Sequence, residues 1–118
     1  MILVPAAAGK SIRGVMENKN KLFIYGTLID PEIQELVWGR KIKGTADILK
    51  GYKKSKIKID GAIYPLIVLS KNGKVEGLVI KVTDDELKKI DKYETDSYKR
   101  IEVDLESRKS AWVYVKNY

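Results

Sequence analysis

Apolar and polar positions along this chain fall into a few clear rhythms. Leu22 to Tyr25 is an unbroken apolar run, aromatic and β-branched, which suits a buried strand. Gly26 interrupts it, and Asp30-Pro31-Glu32 then supplies an N-cap carboxylate, a proline for the first helical position and a first-turn acid. A short helix is expected over 31–37, with Ile33, Leu36 and Val37 on its apolar face and Gly39 as its stop. Lys41 to Tyr52 alternates with period two, as does Lys56 to Ile59, and Gly51-Tyr52 reads as a turn between two strands. Asp60-Gly61 is a hairpin turn pair. Leu66 to Leu69, preceded by Ile63-Tyr64-Pro65, is uniformly apolar, a buried strand with the proline at its start. Asn72-Gly73 is the strongest hairpin signal and is expected to fold 66–70 back on 74–82.

Thr83-Asp84-Asp85-Glu86 has the form of a capping box, opening a helix that reaches Tyr93 or Glu94. Its residues Leu87, Ile90 and Tyr93 face inward or toward a groove. Two further strands follow, 98–106 and 111–115. The tally is about seven mostly antiparallel strands and two helices. That predicts an α+β fold, a curled sheet or small barrel capped by helices.

Residues 1–20 stand apart: an apolar start, a small-residue stretch and a basic one. They are expected to lie outside the core fold, with Met16 a candidate translation start and 21–118 as the domain. Gly9-Lys10-Ser11 has the ending of a phosphate-binding loop, but Val4 stands where the first glycine of that motif belongs. The apolar start is too short, with its charge on the wrong side, for a secretory signal. No stretch approaches the roughly 18 consecutive apolar residues of a membrane span. A cytoplasmic protein without a membrane partner is expected.

Composition changes the picture mainly by what is missing. Among 118 residues there is no cysteine and no histidine. Thiolate nucleophiles, disulfides, Cys- or His-ligated metals and Ser-His-Asp chemistry are excluded, and an acid/base catalyst must be Glu, Asp, Lys or Tyr. The net charge of +7 raises nucleic acid as a partner, but a lysine-rich solvated surface accounts for it as well. Lys50, Lys53, Lys54, Lys56 and Lys58 with Tyr52 form a basic stretch that reads better as a solvated strand face than as a phosphate site.

Two places can carry chemistry. The strand–glycine–helix passage at Tyr25-Gly26-Thr27-Leu28 leaves backbone N–H groups free to hold a carboxylate or phosphate, although it also reads as a plain βα turn. Glu94 sits at a helix C-terminus, where the macrodipole disfavours a carboxylate and raises its pKa toward that of a neutral-pH base. The plainer alternative is a solvated Glu94 paired with Lys89 or Lys92. Tyr64, Tyr93 and Tyr98 line a pocket or pack in the core.

These stretches together resemble the γ-glutamylcyclotransferase-like family, in its AIG2-like branch. The resemblance rests on Phe23 to Pro31, Gly39-Arg40, Gly51-Tyr52, Ile63-Tyr64-Pro65, Val75-Glu76-Gly77-Leu78, Ile90-Asp91-Lys92-Tyr93-Glu94, Tyr98-Lys99-Arg100-Ile101-Glu102-Val103 and Ala111 to Val115, in that order. One departure is Thr95, where similar proteins often carry glycine after the glutamate. The resemblance implies a small mixed or antiparallel β-barrel with two flanking helices and a central cavity. It also implies cyclisation of a γ-glutamyl small molecule to 5-oxoproline, with no cofactor and no metal. Glu94 would be the general base, and Tyr25, Gly26, Thr27 and Leu28 would hold the glutamyl moiety. The released amine stays open among free amino acid, dipeptide, ε-linked lysine and polyamine, and the oligomeric state is open too. A non-catalytic small-molecule binder using the same cavity is the alternative, with a nucleic-acid-binding module a distant third.

Overall fold

The structure, a computed structural model, describes residues 19–117. Strand β1 (Asn20–Ile24) is its centre. Leu22, Phe23 and Ile24 are all buried, because both faces of β1 are covered. Leu22 and Ile24 face one cluster and Phe23 the other. Burying such a side chain is worth about 1.5–3 kcal/mol, so three consecutive buried residues fix this strand firmly. A 3-10 turn (Thr27–Ile29) follows, then helix α1 (Pro31–Trp38), capped by the Asp30 side chain and stopped at Gly39.

Strands β2 (Thr45–Ile59) and β3 (Ala62–Val82) form one long antiparallel hairpin. Its turn is Asp60-Gly61, with positive φ at both residues as a type I′ turn requires. Helix α2 (Asp84–Glu94) starts with the expected capping box, Glu86 N–H to the Thr83 hydroxyl and Thr83 N–H to the Glu86 carboxylate. A second 3-10 turn (Thr95–Ser97) leads to β4 (Tyr98–Asp104) and β5 (Ser110–Lys116). The sheet order is β2-β3-β1-β5-β4. Among the described residues every pairing is antiparallel except β1 with β5, where Leu22 lies beside Trp112. The class is α+β, a curled mixed sheet forming a half-barrel, with two helices.

Among the described residues five strands stand in place of the expected seven, because two expected turns do not reverse the chain. Gly51, at φ +87°, sits inside β2, opposite a bulge of Ser70 to Gly73 in β3. Lys50 pairs with Lys74 and Tyr52 with Leu69, so both arms of the expected Asn72-Gly73 hairpin pair with the same neighbour. Continuous pairing sets Leu49 beside Val75, both buried, and that long-range gain overrides the local turn preference. The apolar face of α1 also differs. Leu36 is 80% exposed, while Gln34 and Trp38 are the buried residues.

The core has two parts. Trp38 of α1 and Leu87 and Ile90 of α2 pack with Leu22, Ile24, Ile80 and Val82 on one face of the sheet. Phe23, Leu49, Val75, Val79, Val113 and Val115 fill the other. Gly77 is needed where these meet, since a Cβ there would strike the Ile24 carbonyl and the Phe23 ring. Arg40 joins the helices through Glu86, 2.5 Å from Nε to Oε2. The expectation that residues 1–20 lie outside the core falls almost wholly on positions outside the described residues. Among the described residues no helix is long and apolar enough to cross a membrane.

Candidate functional site

Where β1 ends, the chain leaves the sheet and opens a cavity of about 370 Å³. Phe23 to Leu28 form one side of it, Tyr93, Glu94, Thr95 and Ser97 the helix-end side, and Tyr64, Pro65, Tyr98 and Tyr114 the rest. All five residues singled out from the sequence, Tyr25, Gly26, Thr27, Leu28 and Glu94, meet there, together with the three expected tyrosines.

The turn after β1 is built to present N–H groups. Its internal hydrogen bonds begin at Ile29 N–H to Gly26 C=O and Asp30 N–H to Thr27 C=O, each 3.1 Å. The preceding N–H groups, those of Thr27 and Leu28, are therefore the open end of the 3-10 turn. The start of α1 itself is not open, because Asp30 Oδ1 accepts from Glu32 N–H at 2.9 Å. Gln34, which the apolar pattern did not single out, fixes the turn from behind. Its Nε2 donates to the Leu28 carbonyl at 2.9 Å and its Oε1 accepts from Ile42 N–H at 2.7 Å. A Cβ on Gly26 would meet nothing within 4 Å, so the backbone there is bare toward the cavity.

Glu94 is the one charged side chain among the cavity-lining residues. It makes no ion pair with Lys89 or Lys92 among the described residues, which removes the plainer reading of this position. Burial, and then the charge of Asp91, push its pKa up to about 7. The tyrosine hydroxyls around it are tied to the frame. Tyr25 donates to the Tyr114 carbonyl at 2.7 Å, and Tyr98 donates to the Pro65 carbonyl at 2.5 Å. The Thr27 and Tyr93 hydroxyls lie 3.5 Å apart across the cavity. Burial raises the hydroxyl pKa values of Tyr25, Tyr98 and Tyr114 above the ordinary tyrosine range, so these groups stay neutral where Glu94 titrates.

Tyr114 and Asp91 were not singled out from the sequence. Tyr114 donates to Asp91 Oδ1 at 2.6 Å, and Arg100 grips both Asp91 oxygens, at 2.7 and 3.0 Å. Thr95, directly after Glu94, ends α2 with φ +61° and ψ −170°, a region that is essentially glycine's. So the threonine found where similar proteins often carry glycine keeps the glycine-type backbone and bears strain there. No cluster of His, Cys, Asp or Glu suited to a metal occurs among the described residues. The arrangement offers a half-buried, proton-accepting carboxylate facing an N–H-rich turn across an aromatic cavity.

The sequence profile of a family described as "Gamma-glutamyl cyclotransferase, AIG2-like" matches residues 22–118. AIG2-like protein C of Arabidopsis thaliana is 38% identical over 85 residues, 71% of this chain and 48% of the relative. The chain thus spans about half the length of the curated relatives it matches. A solution structure of an Arabidopsis thaliana protein superposes with TM-score 0.71 at 32% identity, covering 83% of this chain and 62% of that one. A structure titled "Gamma-glutamyl cyclotransferase" superposes with TM-score 0.70 at 19% identity, covering 82% and 66%, a likeness of fold.

Proposed function

The chain belongs to the γ-glutamyl cyclotransferase, AIG2-like family, and from that premise we propose that it cyclises a γ-glutamyl group to 5-oxoproline. Residues 21–118 are the unit that carries the activity, and an amine or amino acid is released. The supporting observation is Glu94: the one charged side chain lining the cavity, with a pKa of about 7. A base of that strength is matched to work near neutral pH.

The substrate's α-ammonium must lose a proton before its nitrogen can attack. Glu94 takes that proton. The free amine then attacks the γ-carbonyl carbon of the same molecule, forming a C–N bond and a tetrahedral oxyanion. Collapse of this intermediate breaks the bond to the leaving nitrogen, which receives the proton back from Glu94 and also the second proton that the new ring nitrogen sheds, so that the lactam is neutral and the amine departs as its ammonium. Overall, one C–N bond forms and one breaks, and the carboxylate is regenerated. The N–H groups of Thr27 and Leu28 hold the α-carboxylate, and bare backbone at Gly26 lets it approach. Tyr25, locked by its hydrogen bond to Tyr114, forms a fixed wall that folds the glutamyl chain toward ring closure. Such intramolecular positioning supplies up to about 7–11 kcal/mol.

The test is 5-oxoproline release from a panel of γ-glutamyl peptides and γ-glutamyl amines. Glu94→Gln keeps the shape of the side chain and removes its proton-accepting role. It is expected to retain the circular dichroism of the wild type and lose about two to four orders of magnitude in rate. Wild-type turnover in that variant would remove Glu94 from the mechanism. Tight binding of γ-glutamyl compounds by the wild type, with no 5-oxoproline formed, would make the protein a binder instead.

A further inference from the structure

We propose that Asp91, held by Arg100 and Tyr114 one helical turn before Glu94, is a positioning residue whose fixed negative charge keeps the Glu94 carboxylate basic enough to act. The inference deepens the cyclotransferase reading and rests on it for what the base is used for. Its geometric basis is independent. Residues three apart on a helix are neighbours, with Cβ atoms about 5–6 Å apart. Asp91 and Glu94 therefore share one side of α2, yet their surroundings differ. Asp91 is gripped on both oxygens by Arg100 and receives the Tyr114 hydroxyl. Glu94 has no such partner among the described residues and opens into the cavity.

Burial opposes the ionised form of Asp91, but the hydrogen bonds from Arg100 and Tyr114 and the Arg100 charge outweigh it and hold its pKa below the ordinary range. It is thus ionised wherever Glu94 titrates. Arg100 offsets that field only in part, since the charge acting on Glu94 is that of Asp91. It rests 4.6 Å over the Trp112 ring and lines a neighbouring hollow with Asp91, while Glu94 lines the cavity.

The other groups around Glu94 supply no competing charge. Tyr25 at the end of β1, Tyr64 on β3, Tyr93 on α2, Tyr98 on β4 and Tyr114 on β5 face it as hydroxyls. Lys92 and Asp96, the nearest charges in the adjoining sequence, are exposed to solvent. The chain Arg100–Asp91–Tyr114–Tyr25 also links the helix end to the cavity wall, since the Tyr25 hydroxyl bonds to the Tyr114 backbone. One network fixes both the charge beside the base and the surface opposite it.

The experiment is a carboxyl-detected NMR titration of Glu94 in the full chain, comparing wild type, Asp91→Asn and Arg100→Gln. Asp91→Asn removes the charge and keeps the shape. The Glu94 midpoint, about 7 in the wild type, is expected to fall by roughly one pH unit. Arg100→Gln leaves Asp91 charged and removes its counter-charge, so there the midpoint is expected to rise. A structural role alone would move neither. An unmoved midpoint in folded Asp91→Asn, or an unmoved or lowered one in Arg100→Gln, overturns the proposal. The Arg100→Gln arm decides the matter should Asp91→Asn fail to fold. The acid limb of 5-oxoproline release against pH should follow the NMR midpoints. No release by the wild type would count against the reaction while leaving the titration to judge Asp91.

Discussion

Glu94 is placed where a carboxylate is least comfortable, and that discomfort has a sign. Its pKa is about 7 folded, against the ordinary value of 4.5. Between those values the folded protein holds a proton that the unfolded chain has released, so stability falls as pH rises through this window. The penalty is complete above pH 7 and amounts to at most about 3 kcal/mol. Glu94→Gln should therefore be more stable than wild type at pH 8, by about 1–3 kcal/mol in urea unfolding, and the gain should vanish near pH 4. The variant with the impaired site would be the sturdier fold. An equal difference at both pH values would mean that Glu94 is not strained by its charge. At this scale the sequence was informative about Glu94 itself, because a helix end and the absence of histidine narrow the options. Asp91 was not legible, because its role depends on Arg100 and Tyr114 arriving from two other strands.

Element boundaries carry the next layer. Helix α2 begins as its capping box dictates, and ends at a residue whose backbone lies in glycine's territory. Holding Thr95 at φ +61° costs about 1–3 kcal/mol. Glycine would relieve that strain and give back about 0.4–1 kcal/mol through the entropy of the unfolded chain. It would also lose the contact of the Thr95 hydroxyl with Ser97 N–H at 3.3 Å. Thr95→Gly should thus raise stability by about 1 kcal/mol in a denaturant titration, whereas Thr95→Ala, with the same φ to satisfy, should not. The helices and the β1 turn were readable because caps and apolar runs are local signals. The β2–β3 arm was not, because period two marks a strand without saying which neighbour it takes. Asn72-Gly73 favours a reversal locally and is overruled by pairing set from Asp60-Gly61. Gln34 was invisible for a related reason: a polar residue on a short helix declares nothing until its two backbone partners are in place.

At the scale of the whole molecule the sheet is lopsided. Strand β3 has 21 residues and β2 has 15, but β1 pairs only with Leu78 to Val82 of β3. Among the described residues the remainder of the arm has no second neighbour in the sheet, which fits extents of 54 × 34 × 24 Å. Amides of Lys56 to Lys58 and Ile63 should exchange with deuterium well before those of Leu22 to Ile24, since opening the arm tip uncovers little apolar surface. Uniform protection along the arm, read by hydrogen-exchange NMR, would show that something else covers it.

The parallel contact of β1 with β5 has a consequence in time as well as space. Tyr25 and Tyr114 meet although they stand 89 positions apart in the chain, and contacts so remote in sequence are slow to form. The cavity wall needs both, so a chain still leaving the ribosome can fold its β2–β3 hairpin and its helices while it has no site at all. The cavity would be complete only when β5 slots in beside β1.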